Sequence, residues 1–388
     1  MSDSRRLSRA RWATRAQFLH LGVIAGVWGV HVPTLKVTCS LDERTLAAVL
    51  LATSAGSVLM LFLAGRVVGR MGARNTSVLA GWLFCAALAC SLLLPNVWWL
   101  LLAMLVLGSG ESLYDVAINA EGTTLELLSG RAVMSGFHGM FSLGALAGSG
   151  SAAAMLRLGL PAATQMACVG IVIATLLAVA SRGMLADHPA AASAQAHFAW
   201  PRGVLLVIGL LICCAMLAEG VMYNWSVLYV QQELRTPQEG AALAFVSFAG
   251  ATALMRFAGD AVRTRVSERT MLLSGSLLAA TAMSVVLFVA RPWVAIVGFA
   301  FVGVGLATIV PLLYNAATRV PGVSRAAAIA SVSSIGYLGF MIGPPIIGGV
   351  AHATTLSVAM STLVVASLLL PIGARRVPLS DGARAREA

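Results

Sequence analysis

Apolar stretches of roughly 20 residues recur from one end of the chain to the other, and nothing else constrains its fold as tightly. A helix rising about 1.5 Å per residue needs that length to cross a hydrocarbon core of about 30 Å. "NVWWLLLAMLVLGSG", residues 96–110, is typical of them. The pattern predicts twelve spans, near 16–35, 45–65, 76–94, 98–120, 133–156, 162–181, 203–229, 239–259, 270–290, 292–317, 325–351 and 354–372. Period-2 alternation is absent, so helices must satisfy the backbone groups in lipid. Composition agrees: 59% of residues are hydrophobic and 11% charged, where a soluble domain carries charge on about a quarter. The expectation is an all-α, multi-pass membrane protein.

Charge sets the orientation. With the N-terminus inside, twenty of the 26 Lys and Arg lie on inner segments and five on outer loops, with Arg256 inside a span. By the positive-inside rule both termini are expected in the cytoplasm. The basic start "MSDSRRLSRARWATR" is then a cytoplasmic tail rather than a cleaved leader. The net charge of +11 is spread over many short loops. Such scattering suits anionic lipid headgroups and argues against nucleic acid as a partner. The six cysteines show neither metal-ligand spacing nor a disulfide framework, so they are expected to be packing residues. No metal and no cofactor is expected.

"AGRVVGRMGARNTSVLAG" (64–81) and "AGDAVRTRVSERTMLLSG" (258–275) align without gaps, agree at six of 18 positions and are offset by 194. Both join one span to the next on the inner side, so the chain is expected to be a repeat of six helices. The division places an N-terminal bundle at 1–181, a cytoplasmic linker at 182–202, and a C-terminal bundle with a short cytoplasmic tail at 203–388.

Several acids lie inside spans, where each costs on the order of 3 kcal/mol unless it faces a cavity or a partner. Glu111, Asp115 and Asn119 are spaced i, i+4, i+8 and stack on one helix face. They would line a water-accessible path, with Asp115 and Glu111 able to carry protons. Alternatively Asp115 is a protonated, hydrogen-bonded packing residue. Glu219 groups with Tyr223 at helix spacing and precedes Asn224, Trp225 and Tyr229. Aromatic walls with a few polar groups suit sugars and other polar organic solutes. Tyr229, near the outer end, is expected in an interfacial belt. His138 is a candidate proton carrier, or a packing residue among glycines. Arg256 and Asp260, at i and i+4, are expected to form an inner latch. Glu121 and Glu126 are expected to pair with Arg70, Arg74 or Arg131. Glycines at 22, 26 and 29, at 136, 139, 144 and 148, and at 336, 339, 343 and 348 permit close helix contact. Pro344 and Pro345 predict a kink.

Four stretches resemble the major facilitator superfamily, and within it bacterial inner-membrane transporters related to the fucose permease type. They are "DVAINAEG" (115–122), "SGFHGMFSLGALAG" (135–148), "EGVMYNWSVLY" (219–229) and "GYLGFMIGPPIIG" (336–348). In that resemblance Asp115 and Asn119 match an acid–asparagine pair of the transport cavity. Arg70 and Arg74, with Gly65 and Gly72, match the superfamily loop G-x-x-x-D-R-x-G-R-R, in which Gly69 replaces the aspartate. Trp28 and His31, in "WGVHVP", stand where the branch has W-x-x-R-I-P. Asn224 stands where its E-G-x-x-x-D-W-S has aspartate.

The resemblance implies the major facilitator fold in the cell inner membrane. It implies a secondary transporter working by alternating access, with proton-coupled uptake of a small polar, sugar-like solute. The expected proton-coupling residues are Asp115, which the resemblance supports, and Glu111 and His138, read from their own chemistry. Asn119, Glu219, Asn224, Trp225, Trp28 and His31 are expected to be substrate-binding, and Arg70, Arg74, Arg256 and Asp260 to be gate or latch residues. The partners are a small-molecule solute, protons and the bilayer, and the protein is expected to be a monomer. The alternative is a proton-driven efflux antiporter. An enzyme is not expected, since no nucleophile–base set, phosphate loop or metal cluster is visible.

Overall fold

The computed structural model describes residues 3–94, 96–130, 133–185, 201–323 and 325–379. Regular structure among them is helical throughout. The chain divides into two compact units, Met1–Ala192 and Ser193–Ala388. The first contains α1 (Asp3–Thr38), α2 (Glu43–Cys90), α3 (Val97–Ser129), α4 (Met134–Arg157) and α5 (Ala162–Ser181). The second contains α6 (Val204–Gln232), α7 (Gln238–Arg263), α8 (Glu268–Val289), α9 (Pro292–Leu306), α10 (Ile309–Ala317), α11 (Arg325–Gly336), α12 (Leu338–Ala353) and α13 (Leu356–Ala374).

Among the described residues, eleven helical stretches are long and apolar enough to cross a membrane. One of them, Glu43–Leu93, runs to 51 residues and takes in two expected spans, 45–65 and 76–94. The expected loop between those spans is helical up to Gly72, where φ is 76° and ψ 156°. A residue with a Cβ is strained at that φ, so the superfamily glycine is where the helix can break. In the second unit a short gap at Ala307–Thr308 divides α9 from α10, and Tyr337 divides α11 from α12. Pro344 and Pro345, where a kink is expected, both lie inside α12, and the helical run is interrupted earlier, at Tyr337. At this point the chain presses on α6. A Cβ on Gly336 would meet the Ile212 side chain at 2.5 Å, and one on Gly339 the Cys213 carbonyl oxygen at 2.2 Å.

α1 and α6 carry the most enclosed spans, 78% and 67% buried, so each is a central helix against which others pack. Large apolar side chains on the outside, such as Phe62, Ile171, Phe288 and Ile372, are exposed, as a lipid-facing surface requires. Caps satisfy the helix starts. Asp42 accepts from the Thr45 N–H, Asn96 from those of Trp98 and Trp99, and Ser267 from that of Thr270.

α1 packs on α4 through a reciprocal set of glycines. A Cβ on Gly22 would lie 2.0 Å from the Phe141 carbonyl oxygen, and one on Gly26 would lie 2.2 Å from that of Ala145. Reciprocally, Gly144 faces the Leu19 carbonyl at 2.1 Å and Gly148 that of Val23 at 2.1 Å. Gly136 has no such neighbour within 4 Å, so the expected glycine stripe is used over its second half and not at its start. Gly26→Ala should therefore lower unfolding stability by about 1–3 kcal/mol, as overpacking does. Gly136→Ala should be neutral or slightly stabilising. Thermal unfolding of the two variants in detergent checks the contrast.

Candidate functional site

In the first unit α3 carries the acids. Asn96 caps its start, and it ends at Gly130, whose φ of 62° is the left-handed geometry of a helix stop. Its buried face holds Leu107, Tyr114, Ala117, Ile118 and Glu121. Glu111, Asp115 and Asn119 lie together on a different, half-buried face. The Asn119 amide nitrogen donates to the Asp115 carboxylate and to the Asp115 carbonyl, each at 2.9 Å. The structure thus brings Asp115 and Asn119 into direct contact, with Glu111 one turn away. His138, on α4, is exposed and meets Phe18 edge-on at 5.3 Å.

Beside this face is a polar network that the sequence reading missed. The Tyr114 hydroxyl donates to the side-chain oxygen of Gln17 at 2.5 Å. The Gln17 amide nitrogen donates to the Leu177 carbonyl at 3.0 Å, so α1, α3 and α5 are joined at one buried point. His31 is fully buried, 3.0 Å from the Gln165 side-chain oxygen and 3.3 Å from the Thr34 hydroxyl. Trp28 is buried on the same helix. A glutamine in an apolar run was the one available signal for Gln17 and Gln165.

Two further acids of α3 accept backbone N–H groups. Glu126 accepts from the N–H groups of Val133 and Met134, at 2.8 and 3.2 Å, and so secures the start of α4. Glu121 is buried and accepts from the Leu185 N–H at 2.7 Å. Their expected arginine partners do not appear in these contacts, and Arg131 lies outside the described residues. Arg70 is exposed and Arg74 half-buried. Among the described residues neither forms an ion pair.

In the second unit Glu219 on α6 lies 3.5 Å from the Arg256 guanidinium on α7, with both side chains largely buried. The expected latch joined Arg256 to Asp260, whose side chain lies outside the described residues. The partner found for Arg256 is across the helix interface, where a buried cation meets a buried anion. Tyr223, one turn on from Glu219, stands edge-on to Phe245 at 5.4 Å and to Phe248 at 5.8 Å. Asn224 donates to the Gly220 carbonyl at 3.1 Å. Trp225 and Tyr229 have almost no accessible surface, and Tyr229 tilts against Phe299. Tyr229 is therefore a core residue and not part of an interfacial belt.

Outside the spans, Arg319 grips Glu268 through both guanidinium nitrogens, and Arg263 adds a third contact at 3.0 Å. The bond to Glu268 raises the guanidinium's already high pKa. Arg319 also reaches the Pro378 carbonyl at 3.4 Å, tying the segment after α13 to the start of α8.

Comparison with known proteins decides the family. Over 369 residues, 94% of this chain and 95% of the other, it is 33% identical to an uncharacterized MFS-type transporter of Yersinia pestis. The chain belongs to the Major Facilitator Superfamily. Residues 208–388 also match that superfamily's model. The fold is similar to the Escherichia coli fucose:proton symporter FucP, with a TM-score of 0.68 at 15% identity over 94% of this chain and 97% of that one. It is also similar to the nucleoside transporter NupG, with a TM-score of 0.76 at 12% identity over 94% and 98%. This facilitator is a multi-pass membrane transporter rather than an enzyme.

The Glu219–Arg256 pair yields a prediction. Glu219→Gln and Arg256→Gln should each destabilise the protein, because each removes the charge that faces the other across the helix interface. The double variant should recover about 1–3 kcal/mol of the summed losses in a thermal-unfolding cycle. Additive losses would show that the two side chains do not depend on each other.

Proposed function

We propose that this facilitator takes up a small polar organic solute across the cell inner membrane by alternating access, driven by protons. The support is the different way each unit compensates its intramembrane acid. Asp115 is held by a neutral amide, so a proton arriving on its carboxylate cancels a charge and leaves none behind. Glu219 lies against a cation, so the same event there would take away an anion that faces the buried Arg256 charge. The proton-coupling role therefore belongs to Asp115, with Glu111 one turn away and His138 as accessory groups.

Asn119, Glu219 and Asn224 are the substrate-binding side chains of this reading, and Arg256 is a partner that orients Glu219. Trp28, His31 and Trp225, all buried, are assigned to holding helices in place. Arg70, Arg74 and Asp260 are assigned to gating at the inner side. Gly72 splits Glu43–Leu93 into two crossings, which makes twelve in all, with both termini cytoplasmic. The N-terminal bundle then comprises 1–181, the linker 182–202 and the C-terminal bundle 203–388, in a monomer. The solved transporters of similar fold are named for fucose with protons and for nucleosides, both hydroxyl-rich solutes, and this supports the substrate class.

Proteoliposomes test the reading, with pooled sugars, polyols, nucleosides, amines and organic acids offered under an imposed pH gradient. Acid outside should drive accumulation inside. Asp115→Asn keeps size and hydrogen bonding but removes titration. It should reduce accumulation to the level of protein-free vesicles, flatten its pH dependence, and leave solute exchange measurable. Asp115→Glu should keep part of the coupling. Proton-driven extrusion by the unaltered protein would establish the antiporter instead. Undiminished accumulation in Asp115→Asn would make Asp115 a packing residue.

A further inference from the structure

The outer face of the first unit carries a groove of about 530 Å³ between α5 and the part of α2 that follows Gly72. Small residues form its floor: Ala86, Ala89, Gly170, Ala174 and Ala178. The exposed rings and branches of Trp82 and Ile171 stand beside it. The Trp82 indole N–H donates to the Ala174 carbonyl at 3.1 Å, which pins one wall across the interface. At the deep end a Cβ on Gly170 would lie 2.9 Å from the Cys85 carbonyl oxygen, so the two helices close on each other there.

Charge enters at the other end alone. Arg182, the residue that follows α5, is the single charged group of the lining among the described residues. The Arg9 guanidinium donates to the Arg182 carbonyl at 3.2 Å, which brings a second cation to the same end. Gly170 and Arg182 are twelve positions apart, a helical rise of about 18 Å. A single leaflet is about half of a ~30 Å hydrocarbon core. The groove thus runs from the headgroup level to about the bilayer midplane, apolar along its length and cationic at its mouth.

We propose that this groove is a binding site for one anionic phospholipid, with an acyl chain between α2 and α5 and the phosphate at Arg182 and Arg9. Lipid covers the rest of the outer surface as solvent. Here the furrow and the two guanidinium groups select a charged headgroup and retain it.

The test is native mass spectrometry of the delipidated full-length protein in detergent. It is titrated with phosphatidylglycerol, with phosphatidylcholine of the same acyl chains, and with glycerol 3-phosphate as the bare headgroup. Phosphatidylglycerol should be retained as one adduct at about fivefold lower concentration per contributing arginine than phosphatidylcholine. Arg182→Gln should remove most of that preference and Arg9→Gln part of it. Ala86→Phe fills the furrow from an exposed position and should weaken both lipids alike, with Thr175→Phe as a second filler should the first fail to fold. An unchanged preference in Arg182→Gln, or unchanged retention in both fillers, overturns the proposal. Equal competition by glycerol 3-phosphate overturns the acyl-chain part, leaving a phosphate site alone.

Discussion

The rest of the first unit depends on the approach of α1 to α4 without side chains between them. In lipid, apolar helices gain little from hiding one another, so association rests on contact at short range and on polar bonds. Gly22, Gly26, Gly144 and Gly148 supply that contact in a reciprocal set, each opposite a carbonyl oxygen of the facing helix. Four missing side chains set the distance, and the 3.6-residue period sets which face of α1 is left for other partners. With α1 fixed, Gln17 and His31 are carried to places where each finds a partner on another helix.

Those partners matter because a buried amide or imidazole in hydrocarbon has no water to fall back on. Gln17 bonds to both Tyr114 on α3 and the Leu177 carbonyl on α5, and His31 to Gln165 on α5. The α3 acids lie on a neighbouring face of the helix that carries Tyr114. A substitution at Gln17 should thus be felt at α3 although Gln17 is not near Asp115 in sequence. In the second unit α6 has the central place, and Gly336 and Gly339 let the interrupted helix of α11 and α12 press on it.

The spans were legible because apolar length is a one-dimensional signal, and the acids on α3 because helix spacing stays within one helix. The bond between Asp115 and Asn119 follows from the i, i+4 rule and needs no tertiary information. Arg256 shows what that rule cannot reach. It meets Glu219, 37 positions earlier on another helix, and no spacing announces such a pair. Gln17, Tyr114 and Gln165 escaped for the same reason: single polar residues in apolar runs carry no pattern. The interruption at Tyr337 was not legible from the prolines, because it falls where glycines meet α6.

The repeated segments show how one ancestral pattern can be served by different physics. At the offset of 194, Val266 stands where Gly72 does. Glycine takes a φ of 76°, and a single residue interrupts α2. A β-branched valine is strained at positive φ. The second unit instead leaves the helix after Arg263 and restarts it at Glu268 under the Ser267 cap. The same offset places Arg263 opposite Gly69 and Glu268 opposite Arg74. The second unit therefore owns an acid at the point where the first has an arginine, and that acid gathers Arg263 and Arg319 within the unit. The first unit, with glycine and arginine at the corresponding places, has no means of building that cluster. Among the described residues its Arg70 and Arg74 form no ion pair, and no acid draws them together as Glu268 draws Arg263 and Arg319.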